Sequence, residues 1–157
     1  MFSTKGRYAL RVMIDLAQHE GEGNIPLKSI AERQDISKKY LEIIVKELVK
    51  GGLVNGVSGK GGGYSLSRSS EDYTAGEILE LMEGTLAPVA CLEADAGTCP
   101  RAEDCLTLPM WKEYYQMSRD FFYSKKLSDL LESRDPVYYI YFQVSTEKER
   151  RTGCSER

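Results

Sequence analysis

The chain is short of the residues on which most catalytic sites depend. Its 157 residues include one histidine, one tryptophan and four cysteines. With His19 alone, no Ser–His or Cys–His pairing offers a nucleophile and its base, so an enzyme is not expected. A phosphate loop is also missing. Val54 stands where the first glycine before Gly59-Lys60 would have to be, and no Ser or Thr follows Lys60. The stretch "GKGGGYS" lacks the dinucleotide fingerprint GxGxxG as well. No apolar run approaches the roughly 20 residues that span a bilayer. The first twenty residues do not read as a signal peptide, because Arg11 and Asp15 interrupt any apolar stretch. The expected location is therefore cytoplasmic, with no membrane contact. In that reducing compartment clustered cysteines more often bind metals or do redox work than form disulfides.

What is present is the composition of one soluble globular domain, 41% apolar and 29% charged. The net charge of −3 hides an asymmetry. Residues 1–68 carry 11 basic against 7 acidic side chains, and residues 69–157 carry 10 against 17. A basic first half joined to an acidic second half points to a polyanion as partner of the first.

Apolar residues Ala9, Met13, Leu16 and Ala17 recur at helical spacing over 4–18. "GEGN" ends that helix, and "PLKSIAERQ" predicts a short second one with Pro26 at its start. Ser37 is a good N-cap for a third, with Ile36 and Leu41 as its hydrophobic staple. Leu41, Ile44, Val45 and Leu48 form its buried stripe, and Gly51-Gly52 end it. Two short helices joined by a tight turn predict a helix-turn-helix. "LVNGVSGKGGGYSLS" adds two strands around a glycine-rich tip, and 74–84 is a further helix capped by Thr74. The expected fold is thus mainly α with a small β-hairpin wing, a winged helix-turn-helix followed by a long C-terminal helix, continuous or with a late break.

A winged helix places its second helix in the major groove. With the stripe turned inward, Lys38, Lys39, Glu42 and Lys46 face outward, and the lysines can neutralise phosphates. Tyr40 can reach a phosphate or sugar. Lys28, Ser37 and the wing-tip residues Ser58, Lys60 and Gly61 complete the candidate DNA contacts. Glu42 can accept from a cytosine amino group but is repelled by phosphate, so it is expected to act in selectivity. The bland alternative is a solvated helix face with Glu42 and Lys46 as an i,i+4 pair. The expected partner is double-stranded DNA with a pseudo-palindromic site.

The segment "CLEADAGTCPRAEDC" gathers Cys91, Cys99 and Cys105 in an acidic, Gly- and Pro-interrupted stretch. Trp111, Tyr114, Tyr115, Met117, Phe121 and Phe122 follow, covering more than one side of their helix. Ten of the 15 aromatic residues lie between 111 and 142, more than one thin helix can bury, which predicts a homodimer surface. The expected division is a DNA-binding domain (1–84), a cysteine loop (85–106), a dimerisation helix with its C-terminal segment (107–143) and a tail (144–157) whose composition predicts disorder.

"STKGRYAL", "ERQDISKKYLEIIVKELVKGGLV", "GKGGGYSL" and "CLTLPMW" together resemble the IscR/NsrR/CymR (Rrf-type) family of winged-helix regulators over residues 1 to about 130. The resemblance implies a dimeric transcription factor, closest to the IscR-like iron–sulfur members. In those, three cysteines before the long helix hold a cluster, which is where Cys91, Cys99 and Cys105 stand. The first interval is C-x7-C where IscR-type sequences have C-x5-C. Leu108 occupies the position of the IscR-type histidine ligand, Tyr8 that of the aspartate of the NO-sensing branch, and Ser58 that of the wing arginine. The fourth ligand is therefore open among Cys154, Glu103, Asp104 and His19. His19 otherwise reads as a charge partner of its helix C-terminus. Soft thiolates on a glycine-containing loop suit an iron–sulfur cluster, and the resemblance to IscR-like members implies 2Fe–2S rather than 4Fe–4S. Structural zinc, the weaker reading, lacks its usual paired C-x2-4-C knuckles. "LMEGTLAPV" resembles the CymR-like branch, which implies an alternative: a cluster-free regulator of cysteine and sulfur metabolism, controlled by a protein partner.

Overall fold

The computed structural model describes residues 2–132. Cys154, the aromatic residues at 138–142 and the tail 144–157 lie outside the described residues, and so do the expectations placed on them.

α1 (Thr4–Gln18) starts where the Ser3 hydroxyl accepts from the Gly6 amide at 3.1 Å. Its buried residues Ala9, Val12, Met13 and Leu16 line one face. α2 (Leu27–Gln34) begins one residue later than the sequence predicts, because Pro26 takes an extended conformation. The turn to α3 (Lys38–Lys50) is made by Asp35 in the left-handed region, φ 50°, which a short polar side chain tolerates. Ser37 then caps α3, accepting from the Tyr40 amide at 3.3 Å. The predicted stripe Leu41, Ile44, Val45 and Leu48 is buried, and so is Ile36.

β1 (Val54–Val57) and β2 (Gly63–Leu66) form an antiparallel hairpin in which Val54 faces Leu66. A third segment joins it: Ile25 and Tyr64 exchange backbone hydrogen bonds of 2.8 and 2.9 Å. Gly63 makes this possible, because a Cβ there would strike the Ile25 carbonyl. The wing is thereby fixed to the entry of α2. At its base, fully buried Tyr73 donates to the Leu53 carbonyl at 2.7 Å and accepts from the amides of Ser67 and Arg68. The Arg68 guanidinium lies over the Tyr73 ring, 4.2 Å from its centre.

α4 (Ala75–Glu83), capped by Thr74 as expected, packs on α1. The long helix breaks: α5 (Leu108–Ser124) ends at Lys125, and α6 (Leu127–Glu132) turns back onto α1. Leu127 is fully buried in the core, and its amide donates to the Tyr73 carbonyl at 3.0 Å.

One buried charge ties the helix-turn-helix together. The carboxylate of Asp15, on the inner face of α1, accepts from Arg33 Nη2 at 2.6 Å, Arg33 Nε at 3.0 Å and Gln34 Nε2 at 2.9 Å. Asp15 also keeps the Arg33 guanidinium pKa above its ordinary value, chiefly through their hydrogen bond. Arg11 reaches across to the side chain and carbonyl of Gln34. The angle of α2 to α1 is thus held by charge-assisted, bidentate geometry.

Candidate DNA-binding face and cysteine loop

Lys38, Lys39, Glu42, Lys46 and Lys50 are all exposed on α3. Lys38, Glu42 and Lys28 line one groove with Val57, Gly62, Gly63 and Tyr64 of the wing, so helix, hairpin and the first turn of α2 share a single face. Ser58, Lys60 and Gly61 are exposed at the hairpin tip. Lys28 pairs with Glu32 at 3.7 Å in an exposed contact, which DNA phosphates can readily displace.

Two residues, Glu42 and Tyr40, have contacts the sequence did not predict. Glu42 pairs with Lys38 at 4.0 Å rather than with Lys46, which leaves Lys46 without an ion pair among the described residues. The Tyr40 ring is half-buried and edge-on to Tyr8, centres 5.8 Å apart, with Arg11 over Tyr8 at 5.2 Å. This stack fixes the N-terminal end of α3 against α1. The Ser37 hydroxyl caps α3 as the sequence predicts, accepting from the Tyr40 amide and leaving its own O–H to donate. His19 caps its own helix, with Nδ1 donating to the Asp15 carbonyl at 2.7 Å. Asp15 and Tyr73, which set the attitude of α2 and of the wing, escaped the sequence reading. The one signal for Asp15 was an acidic residue on the apolar face of α1.

The cysteine segment is built differently. Among the described residues, its backbone hydrogen bonds span only three positions: Leu92 to Val89, Glu93 to Ala90, Ala96 to Glu93, Ala102 to Cys99 and Asp104 to Arg101. Cys91 is exposed, and Cys99 and Cys105 are partly buried, all as free thiols. The Cys105 sulfur lies 3.5 Å from the Thr107 hydroxyl, which together with nearby amides lowers its pKa and favours the thiolate. No group of three or more His, Cys, Asp or Glu side chains is gathered for a metal among the described residues. The donors suit an iron–sulfur cluster by chemistry, being soft, reduced and close in sequence. Bringing them together requires the local turns to rearrange.

α5 leaves its apolar side uncovered. Met110, Tyr114, Met117 and Phe121 are each about half-exposed or more, whereas Trp111, Tyr115 and Phe122 turn toward the rest of the chain. The 4-3-4 spacing of the exposed set makes one continuous seam. On the inner side Arg119 Nη1 donates to Glu80 at 2.7 Å, and Tyr123 also donates to Glu80. Gly76 lets the Tyr123 ring close on α4, since a Cβ there would meet it.

Residues 2–133 match the family model for Rrf2, described as an iron-dependent transcriptional regulator. The chain belongs to the Rrf2 family. It is 34% identical over 148 residues to the HTH-type transcriptional regulator IscR of Erwinia tasmaniensis, covering 94% of this chain and 88% of that protein. Among solved structures it resembles CymR, the global cysteine regulator of B. subtilis, with TM-score 0.69 and 36% identity over 86% of this chain and 98% of CymR. T. potens IscR matches with TM-score 0.68 and 35% identity, over 90% and 96% of the two chains. This Rrf2 protein is therefore a transcriptional regulator and not an enzyme. No helix among its described residues is long and apolar enough to cross a membrane.

Proposed function

We propose that this Rrf2 protein is a homodimeric regulator that binds a pseudo-palindromic DNA site under the control of an iron–sulfur cluster. The carrying observation is the position of Cys91, Cys99 and Cys105. They sit on a chain of purely local turns joining the winged head to the exposed α5 seam. Those three thiolates would hold the cluster; when bound, it supplies an iron centre sensitive to oxidants, NO or iron supply.

The chain's own residues do the rest. Lys39 and Lys46 neutralise phosphates, Lys28 and Lys60 extend that contact to α2 and the wing, and Ser58 and Gly61 let the tip approach the backbone. Glu42, held by Lys38, penalises sites that offer no donor. The acidic residues Glu93, Asp95, Glu103 and Asp104 repel one another across the loop, so a cation among them favours a closed form. Closing the loop changes how the two winged heads of the dimer are presented to DNA. Seam-to-seam packing of Met110, Tyr114, Met117 and Phe121 sets two heads about one or two DNA turns apart.

Anaerobic purification followed by absorption, iron and sulfide analysis tests the cluster. Visible absorption is expected in the native protein and absent from Cys91→Ala, Cys99→Ala and Cys105→Ala, with helix content retained. Full absorption in Cys91→Ala removes that ligand from the set. The CymR likeness favours a second reading, a cluster-free regulator answering to a protein partner. A colourless, iron-free protein from the same preparation decides for it.

A further inference from the structure

The centre of the outward face of α3 carries one apolar side chain. A helix advances about 100° per residue, so Leu41, Ile44, Val45 and Leu48 define an opposite, outward direction. Lys39, Lys46 and Lys50 lie within about 30° of it, and so does Ile43. Ile43 is 50% exposed and is not among the partly buried residues packed on the core. Glu42 and Lys38 stand roughly 70° and 110° round the helix, on the flank lining the wing groove. The exposed Val49 on that flank has a neighbour, since a Cβ on Gly56 of the wing would lie 3.5 Å from it.

An aliphatic chain cannot hydrogen-bond to a base edge. Among the groups displayed in the major groove, the thymine 5-methyl is the apolar one. Three lysines around Ile43 can hold phosphates on either side, which brings the helix centre down to the base edges. Resting on the DNA-binding reading above, we infer that Ile43 reads sequence: its branched side chain packs on a thymine methyl and selects thymine at one position of each half-site. Glu42, on the flank, then acts at a neighbouring position rather than at the centre.

The test uses a duplex enriched from random-sequence DNA by the full-length protein. Each thymine is replaced in turn by deoxyuridine, which removes the 5-methyl group alone. One replacement per half-site is expected to weaken binding about fourfold, the factor for burying one methyl. Ile43→Val should keep that penalty, and Ile43→Ala should abolish it at the same position with helix content unchanged by circular dichroism. An undiminished uracil penalty in Ile43→Ala, or none anywhere in the native protein, overturns the inference alone. If the native protein enriches no sequence, the DNA-binding reading falls and this inference with it.

Discussion

The winged head and α5 are both amphipathic helical structure, yet they meet water in opposite ways. From α1 to α4 every helix sends residues into one closed core, whereas α5, with 17 residues, buries none. In the head even the awkward groups are satisfied: the Asp15 carboxylate has three donors, and the Tyr73 hydroxyl has partners on both sides of the wing base. On α5 the opposite holds, since four large apolar side chains stay in solvent although their spacing is that of a packing seam. The difference is that the head closes its own core, while α5 leaves an apolar seam in solvent, the surface on which the proposed dimer would pack. Among the described residues, the cysteine loop between them has neither a core nor long-range hydrogen bonds to hold it.

Leu127 breaks the simplest form of that contrast, and so gives the largest expected effect. It follows α5 in sequence but belongs to the core of the head. Leu127→Ala should destabilise the protein by about 3 kcal/mol in denaturant unfolding, the range for emptying a packed leucine site. A change below about 1 kcal/mol would mean that α6 is only a surface appendage.

Met117, 60% exposed on the seam, tests the other side of the comparison. Met117→Glu should leave the circular dichroism of the head intact and shift sedimentation from dimer to monomer, because a carboxylate in an apolar interface stays desolvated and unpaired. An unchanged sedimentation coefficient would show that the seam is not the dimer surface.

The smallest effect belongs to the exposed lysines of the head. Lys39→Ala and Lys46→Ala should each change stability by less than about 0.5 kcal/mol. Each should also flatten the slope of log affinity against log salt, by about one unit for every phosphate left without its lysine in a half-site. Binding titrations across a salt series measure it, and unaltered slopes in both variants would take α3 out of the DNA interface.

The head was legible because its signals are local. Ser37 before an apolar stripe, a Gly-Gly stop and a glycine-rich tip between two short strands each act through nearest neighbours, and the structure carries all three. The same is true of family membership, which rests on contiguous motifs. Pairings across the chain were not legible. No local rule joins Ile25 to Tyr64, and nothing near Arg33 says that its carboxylate lies 18 residues earlier on α1. The Lys38–Glu42 pair shows the limit on a smaller scale, since sequence spacing allowed Glu42 either neighbour.

By itself, the sequence determined which residues form helices and hairpin, which stripe of α3 turns inward, and that three thiols fall in one short acidic segment. Periodicity, capping and turn chemistry act within a few residues, and those features need nothing more. The tertiary structure alone decided that Tyr40 packs on Tyr8, that the chain folds back after Lys125 to bury Leu127, and that Ile25 joins the hairpin through Tyr64. Those outcomes depend on which surfaces meet, and burial is settled only when the whole core closes.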